Sequence, residues 1–280
     1  MDSPMTAATE LAAAIPEMWS AAFYPTLKEK MVFAQSVAMD YQGDISALGD
    51  TVNITSFPQF DVAQEISEAE AVDAQAITAQ NTQLIINKQL AKDFIITRKA
   101  DIQSLPVMNA LRDLALHAIL KKMQQLIIAE IVPSAATPDH AIAYDSGTTL
   151  ALADILEAKE LLDDADVEEF GRQMILGSAQ YNDLFNITGF TSKDFLPGTD
   201  SPLSSGAVTL PILGFNTRWT SEAANVAYLF HPIFLQMAVQ QNPTPSVHDL
   251  GTMGKRAMRV NMEVLFGLKQ LSNLRVVTIG

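Results

Sequence analysis

A chain of 280 residues, 48% hydrophobic with net charge -14 and pI near 4.6, is long enough to bury a sizeable core in one or two domains. It has no Cys, which excludes disulfides and thiolate metal sites, and its acidic field repels phosphates and argues against sequence-specific DNA or RNA binding. No basic patch followed by an apolar core opens the sequence and no run reaches ~18 apolar residues, so the chain reads as soluble, neither exported nor membrane-bound.

Residues 1–14 are small and polar without a periodic stripe, which predicts a flexible arm. From Trp19 onward, Phe23, Leu27 and Met31 recur at four-residue spacing on one helical face, with Pro25 as a break or kink. The stretch 40–97 is the most distinctive of the chain. Between Lys30 and Lys88 there is no Lys or Arg, yet eight carboxylates occur: Asp40, Asp44, Asp50, Asp61, Glu65, Glu68, Glu70 and Asp73. Val52 and Ile54 alternate with polar residues in a strand at 51–57, and its expected return strand is 82–97. Those sixteen residues could reach ~53 Å, against a radius of gyration of ~19 Å for a compact chain of this length. An unbroken strand of that length leaves the globule as a projecting two-stranded arm. An acidic arm with no counter-charge of its own points to a basic partner surface.

Ser104 is placed to cap a helix over 105–132, with Pro106 in its first turn and Pro133 ending it. Such a helix spans ~42 Å and acts as a strut. Leu111, Leu114, Ala118, Leu126 and Ile127 form its expected apolar stripe, with Arg112, Lys121, Lys122 and Gln125 mostly off it. A link at 133–148 leads to a helix at 150–163, a strand at 173–177 and a short helix capped by Ser178. Residues 188–211 read as a Gly-, Ser- and Pro-rich loop. Residues 227–239 are apolar and interrupted at Pro232, and 258–268 alternate without error. A last strand is expected at 274–279. The fold class is α+β.

Compact chemical motifs are wanting. Asp163, Asp164, Asp166, Glu168 and Glu169 fail the calcium-loop test: counted from Asp164, the sixth position is Glu169 and the twelfth Ile175. They read as a solvated helix end. His117, His140, His231 and His248 lie far apart in sequence and none has a second ligand at metal spacing. There is no phosphate loop and no nucleophile elbow, and Asn53-Ile54-Thr55 and Asn186-Ile187-Thr188 are chance sequons. No catalytic, cofactor or metal residues are expected.

The element order and several motifs resemble the major capsid proteins of tailed bacteriophages, the Hong Kong 97 fold, over roughly 19–279. Trp19, Leu27, Val32, Phe33, Asp40-Tyr41, Gly43, Ile45, Gly49-Asp50-Thr51-Val52 and Ile54 have the spacing of that family's passage from N-terminal arm to extended loop. Leu162-Asp163, Val167, Arg172, Met174-Ile175-Leu176, Gln180-Tyr181 and Leu184 resemble its axial domain, although Glu168 and Ser178 stand where related chains often have proline. Residues 258–266 and 274–279 resemble the long peripheral strand and the return to the axial domain.

The resemblance implies an N-arm and first helix at 1–47 and an extended β-hairpin loop at 48–99. It implies a peripheral domain with a long spine helix at 100–147 and 241–266, and an axial domain at 148–240 and 267–280. It further implies hexamers and pentamers that self-assemble into an icosahedral head around double-stranded DNA, without sequence-specific binding. The protein would lie in the virion, after assembly in the host cytoplasm. The arm would lie across a neighbour, bringing Asp61, Glu65, Glu68, Glu70 and Asp73 to basic residues, for which Lys121, Lys122, Lys255, Arg256 and Arg259 are the candidates. Some members cross-link through a loop lysine; the lysine-free arm makes that isopeptide an unexpected one here. No long scaffold segment precedes the arm, so a separate scaffolding protein and a portal are expected, and a decoration or cement protein is compatible. The alternatives are an encapsulin-like nanocompartment shell of the same fold and an acidic α+β enzyme with a carboxylate pair.

Overall fold

A computed structural model describes residues 32–41, 50–58, 60, 65, 75–103, 107–145, 147, 149–191, 211–253 and 256–280. The expected N-terminal arm, the helix with Phe23, Leu27 and Met31, the Ser104 cap with Pro106, and most of the 188–211 loop lie outside the described residues.

The first sheet grows from the alternating segment. Strand β9 (Ala257–Gln270) buries Val260, Met262, Val264, Phe266 and Leu268, as read from the sequence. It lies between β3 (Lys88–Thr97) and β8 (Leu235–Asp249), antiparallel to both. Helix α2 (Val107–Glu130) buries Ala115, Ile119, Met123 and Ile127 in the same core as this sheet. Ile127 of the expected stripe is buried and Leu126 partly so, whereas Leu114 and Ala118 are exposed and Ala115 and Ile119, one residue further on, are buried in their place. Leu116, Leu120, Leu126 and Ile128 are also partly buried, so apolar residues surround the helix and periodicity alone does not select its inward face.

The second sheet has five strands in the order β4 (Ala141–Ile142), β10 (Val276–Ile279), β7 (Ala227–Phe230), β5 (Gln173–Leu176) and β6 (Asn216–Trp219). Its central strands are buried on both faces and divide by parity. Ile175, Tyr228, Phe230 and Val276 face the α2 core, whereas Met174, Leu176, Ala227, Leu229, Val277 and Ile279 face a second core under α3 (Leu152–Asp164). Continuous apolar runs are what double burial demands. Gly177 precedes α4 (Ser178–Asp183) and takes the cap position expected of Ser178. A Cβ at Gly177 would run into the Ala224 carbonyl, so the turn 221–225 leaves room for glycine alone. A single helical turn, α5 (Thr188–Thr191), opens the segment expected as loop.

Three boundaries differ from the sequence reading. The expected strand at 82–97 is two strands: β2 (Gln80–Ile85) pairs with β1 (Thr51–Ser56), and β3 belongs to the body. Between them the Ile86 N–H bonds the Asp50 carbonyl at 2.7 Å. Strand β8 runs on to Asp249 through Pro243 and Pro245 with two register shifts; an edge strand accommodates prolines that a central one would not. The two register shifts of the β8–β9 ladder fall between Val239 and Thr244, and helix α1 (Arg98–Gln103) follows β3 directly.

Two buried glutamines fasten residues 32–40 onto this body. Gln124 of α2, with no exposed surface, accepts from the Val32 N–H at 2.9 Å and donates to Thr220 Oγ1 at 3.1 Å. Gln236 of β8 accepts from the Asp40 N–H at 3.2 Å and donates to Asp40 Oδ2 at 2.9 Å.

The base of the β1–β2 hairpin sits on Gly267 of β9, where a Cβ would lie 2.5 Å from the Ile85 carbonyl oxygen. Gly267→Ala must displace backbone and is expected to lower stability by ~1–3 kcal/mol, with faster hydrogen exchange concentrated at β1 and β2. Ile127→Ala, by contrast, is expected to cost ~2–5 kcal/mol without singling out the hairpin; the same exchange pattern in both variants would contradict this.

Candidate inter-subunit surfaces

The arm is anchored by a small core of its own. Ile54 and Leu84, one from each strand, bury with Ile86 and Ala238 against Tyr41, Val52, Leu265 and Leu271. Beyond this base, among the described residues, Phe57 is 71% and Phe60 73% exposed. Glu65 is exposed, while Asp61, Glu68, Glu70 and Asp73 lie outside the described residues.

The basic candidates divide into engaged and open ones. Lys121 pairs with Glu222 at 3.2 Å, and Gln125 donates to the other Glu222 oxygen at 3.0 Å, so this part of α2 holds the 220–223 turn of its own chain. Arg259 donates to Asp93 through both Nε and Nη2. Lys122 and Arg256 are exposed, and Lys255 lies outside the described residues. Pairing of β3 with β9 adds two residues that the sequence reading missed. Arg98 donates its backbone N–H to the Arg256 carbonyl at 3.0 Å, and Arg98, Lys99 and Arg256 are all exposed at one end of the three-stranded sheet. These positions are 158 residues apart, counting from Arg98 to Arg256, and only the register of Thr97 with Ala257 brings them together.

A further ionic cluster closes the loop between α3 and β5. Arg172, only 2% exposed, donates Nη1 to Asp163 at 2.6 Å, Nη2 to the Val167 carbonyl at 2.6 Å and Nε to the Glu168 carbonyl at 3.0 Å. Lys159 bonds the other Asp163 oxygen. Partial burial pulls the Asp163 pKa upward, but hydrogen bonds from Lys159 and Arg172 and their charges outweigh it, leaving the carboxyl below its usual range. Arg275 donates to Glu168 at 3.0 Å. A backbone hydrogen bond holds the Glu168 pKa down against partial burial, with help from the Arg275 and His231 charges. His231 Nε2 donates to the Phe170 carbonyl at 3.2 Å, while its Nδ1 is buried without a partner. Burial drives the His231 pKa below the ordinary histidine value despite the nearby Glu168.

A two-sheet body thus carries a clamped N-terminal segment and an arm with exposed Phe57 and Phe60. The family model for phage capsid proteins matches residues 27–279, and the chain belongs to that family. Its fold is the Hong Kong 97 type. A structure from Mycobacterium phage Che8 aligns with TM-score 0.75 at 21% identity, covering 95% of this chain and 97% of that one. The capsid structure of cyanophage P-SCSP1u aligns with TM-score 0.75 at 11% identity, covering 96% and 93%. The capsid asymmetric unit of cyanophage Pam1 aligns with TM-score 0.71 at 18% identity, covering 95% and 96%. No curated protein matches the chain. The protein is thus a structural component of a phage capsid, a virion protein assembled in many copies.

The ionic cluster makes the stability of this subunit depend on acid. A histidine whose folded pKa is depressed contributes stability that is whole above its unfolded value, ~6.5, and declines as pH falls below it. The depressed Asp163 and Glu168 contribute stability above their unfolded values, ~4, that is lost on further acidification. The melting temperature is therefore expected to fall in two stages below about pH 6.5. His231→Gln, which can keep a donor toward the Phe170 carbonyl, should flatten the upper stage in a pH series of thermal melts and leave the lower one.

Proposed function

We propose that this chain is the major capsid subunit that tiles an icosahedral head as hexamers and pentamers around double-stranded DNA. The observation that carries the reading is the family match over 27–279 together with an arm that is anchored at its base and outward-facing beyond it. The three-stranded sheet and α2 form the peripheral domain, and the five-stranded sheet with α3 forms the axial domain. The arm lies across a neighbouring copy. Its acids, Asp61, Glu65, Glu68, Glu70 and Asp73, meet the open cations at the end of the neighbour's three-stranded sheet, Arg98, Lys99 and Arg256, with Lys255 beside them in sequence. Lys121 and Arg259 are committed to Glu222 and Asp93 within their own chain and take a smaller part, while exposed Lys122 is a second point of contact.

Each exposed ion pair contributes only ~0–1 kcal/mol, so charge sets the register while burial of Phe57 and Phe60 supplies most of the attraction. The role is structural, without catalysis. The net charge of -14 suits a wall that encloses DNA without adhering to it, and it also makes free copies repel one another. Gathering them is the work of a separate scaffolding protein, in the host cytoplasm, with a portal at one vertex.

Negative-stain microscopy of the full chain expressed with its phage partners is expected to show closed shells; a compact monomer that assembles under no condition would overturn the reading. Arg98→Glu with Arg256→Glu should leave circular dichroism unchanged and suppress shells. Reversing Glu65, Glu68 and Glu70 to Lys in that same chain should restore them, since every copy carries both halves of the contact. Failure of that restoration would sink the pairing while leaving the capsid reading in place.

A further inference from the structure

Phe170 is 90% exposed, more than any other large apolar side chain among the described residues. The loop that carries it is nevertheless tightly built. Asp166 and Gly171 take positive φ values of 50° and 87° and turn the chain out and back. Between them Arg172 binds the Val167 and Glu168 carbonyls, His231 binds the carbonyl of Phe170 itself, and Arg275 holds the Glu168 carboxylate. Three cationic or polar groups from β5's entry, the end of β7 and the approach to β10 thus grip one short loop. An aromatic ring displayed on a backbone already ordered loses little entropy on docking, which is the usual character of an interface anchor.

We infer that residues 165–171 form a preshaped knob, with Phe170 at its apex, that docks on a second copy of this chain in the assembled capsid. The inference rests on the capsid reading above. Two considerations select the occupant. One phenylalanine buries about 150–250 Å², far below the ~1,200 Å² that a specific interface requires on its own. The knob is too small to hold a separate protein, but it adds usefully to copies already joined by their arms. The second is charge. Exposed Asp164, Asp166 and Glu169 precede the apex in sequence, Glu169 immediately before it, while Glu168 is held by Arg275, so the receiving surface is basic. This chain displays an exposed cation of that kind at Lys122, outside the Arg98, Lys99 and Arg256 group proposed to receive the arm.

The test places a photo-cross-linking amino acid at position 170 of the full chain, expressed with its phage partners, and identifies the adducts in purified particles by mass spectrometry. An adduct between two copies of the chain supports the inference. No adduct, or one to a different protein alone, overturns it. Independently, Phe170→Ser should keep the wild-type melting temperature and raise the subunit concentration needed for assembly about tenfold, equivalent to ~1.4 kcal/mol, while Phe170→Trp assembles as wild type. Unaltered assembly of Phe170→Ser would overturn the knob and leave the capsid reading intact; wild-type protein that forms no particles would overturn both.

Discussion

The pairing of β8 with β9 is the constraint on which the rest of the molecule depends. It begins at Leu235 opposite Gln270, beside the five-stranded sheet, and ends at Asp249 opposite Met258. Along that length β9 gives one edge to β3 and a glycine to the base of the arm, while β8 receives the N-terminal segment through Ala38 and Gln236. Because side chains alternate along a strand, a one-residue slip in this register would turn Val260, Met262, Val264 and Phe266 out of the core together. It would also carry Gly267 away from Ile85, so that the arm would lose its seat at the same moment.

Much of this was open to inspection in the sequence, for particular reasons. The alternation at 258–268 admits one period only, and Pro232 breaks 227–239 where the structure places a 3-10 turn, Pro232–Phe234. The family could be recognised because its landmarks are spaced along the whole chain. What escaped notice depended on contacts between distant segments. Nothing local distinguishes Arg98 and Lys99 from other surface cations until β3 finds β9. Pro243 and Pro245 argue against a strand unless one knows that β8 is an edge. In α2, Ile127 was placed correctly but Leu114 and Ala118 were not, because apolar residues also stand on the exposed side of the helix.

The charges of the chain are organised on two scales. Locally, Arg172 is held by one carboxylate and two carbonyls, and Arg275 by the Glu168 carboxylate, all of their own chain, which makes the α3–β5 loop a tightly built part. Over longer distance, Glu65 of the arm and Arg98, Lys99 and Arg256 at the end of the three-stranded sheet are exposed, and in the proposed shell such groups are completed by other copies. The first kind of pairing shapes the subunit, and the second leaves it unfinished by itself.

The outer stretch of β8 has a further consequence. A strand at the margin of a sheet invites any extended segment to add to it, and a protein destined for high copy number is crowded by segments identical to its own. Pro243 and Pro245 remove two amide donors from this margin, and the register shifts between Val239 and Thr244 disturb its straight course. The same irregularities that hid the strand from its sequence pattern therefore act as a guard against fibrous growth, leaving closed assembly as the easier path for a concentrated solution of subunits.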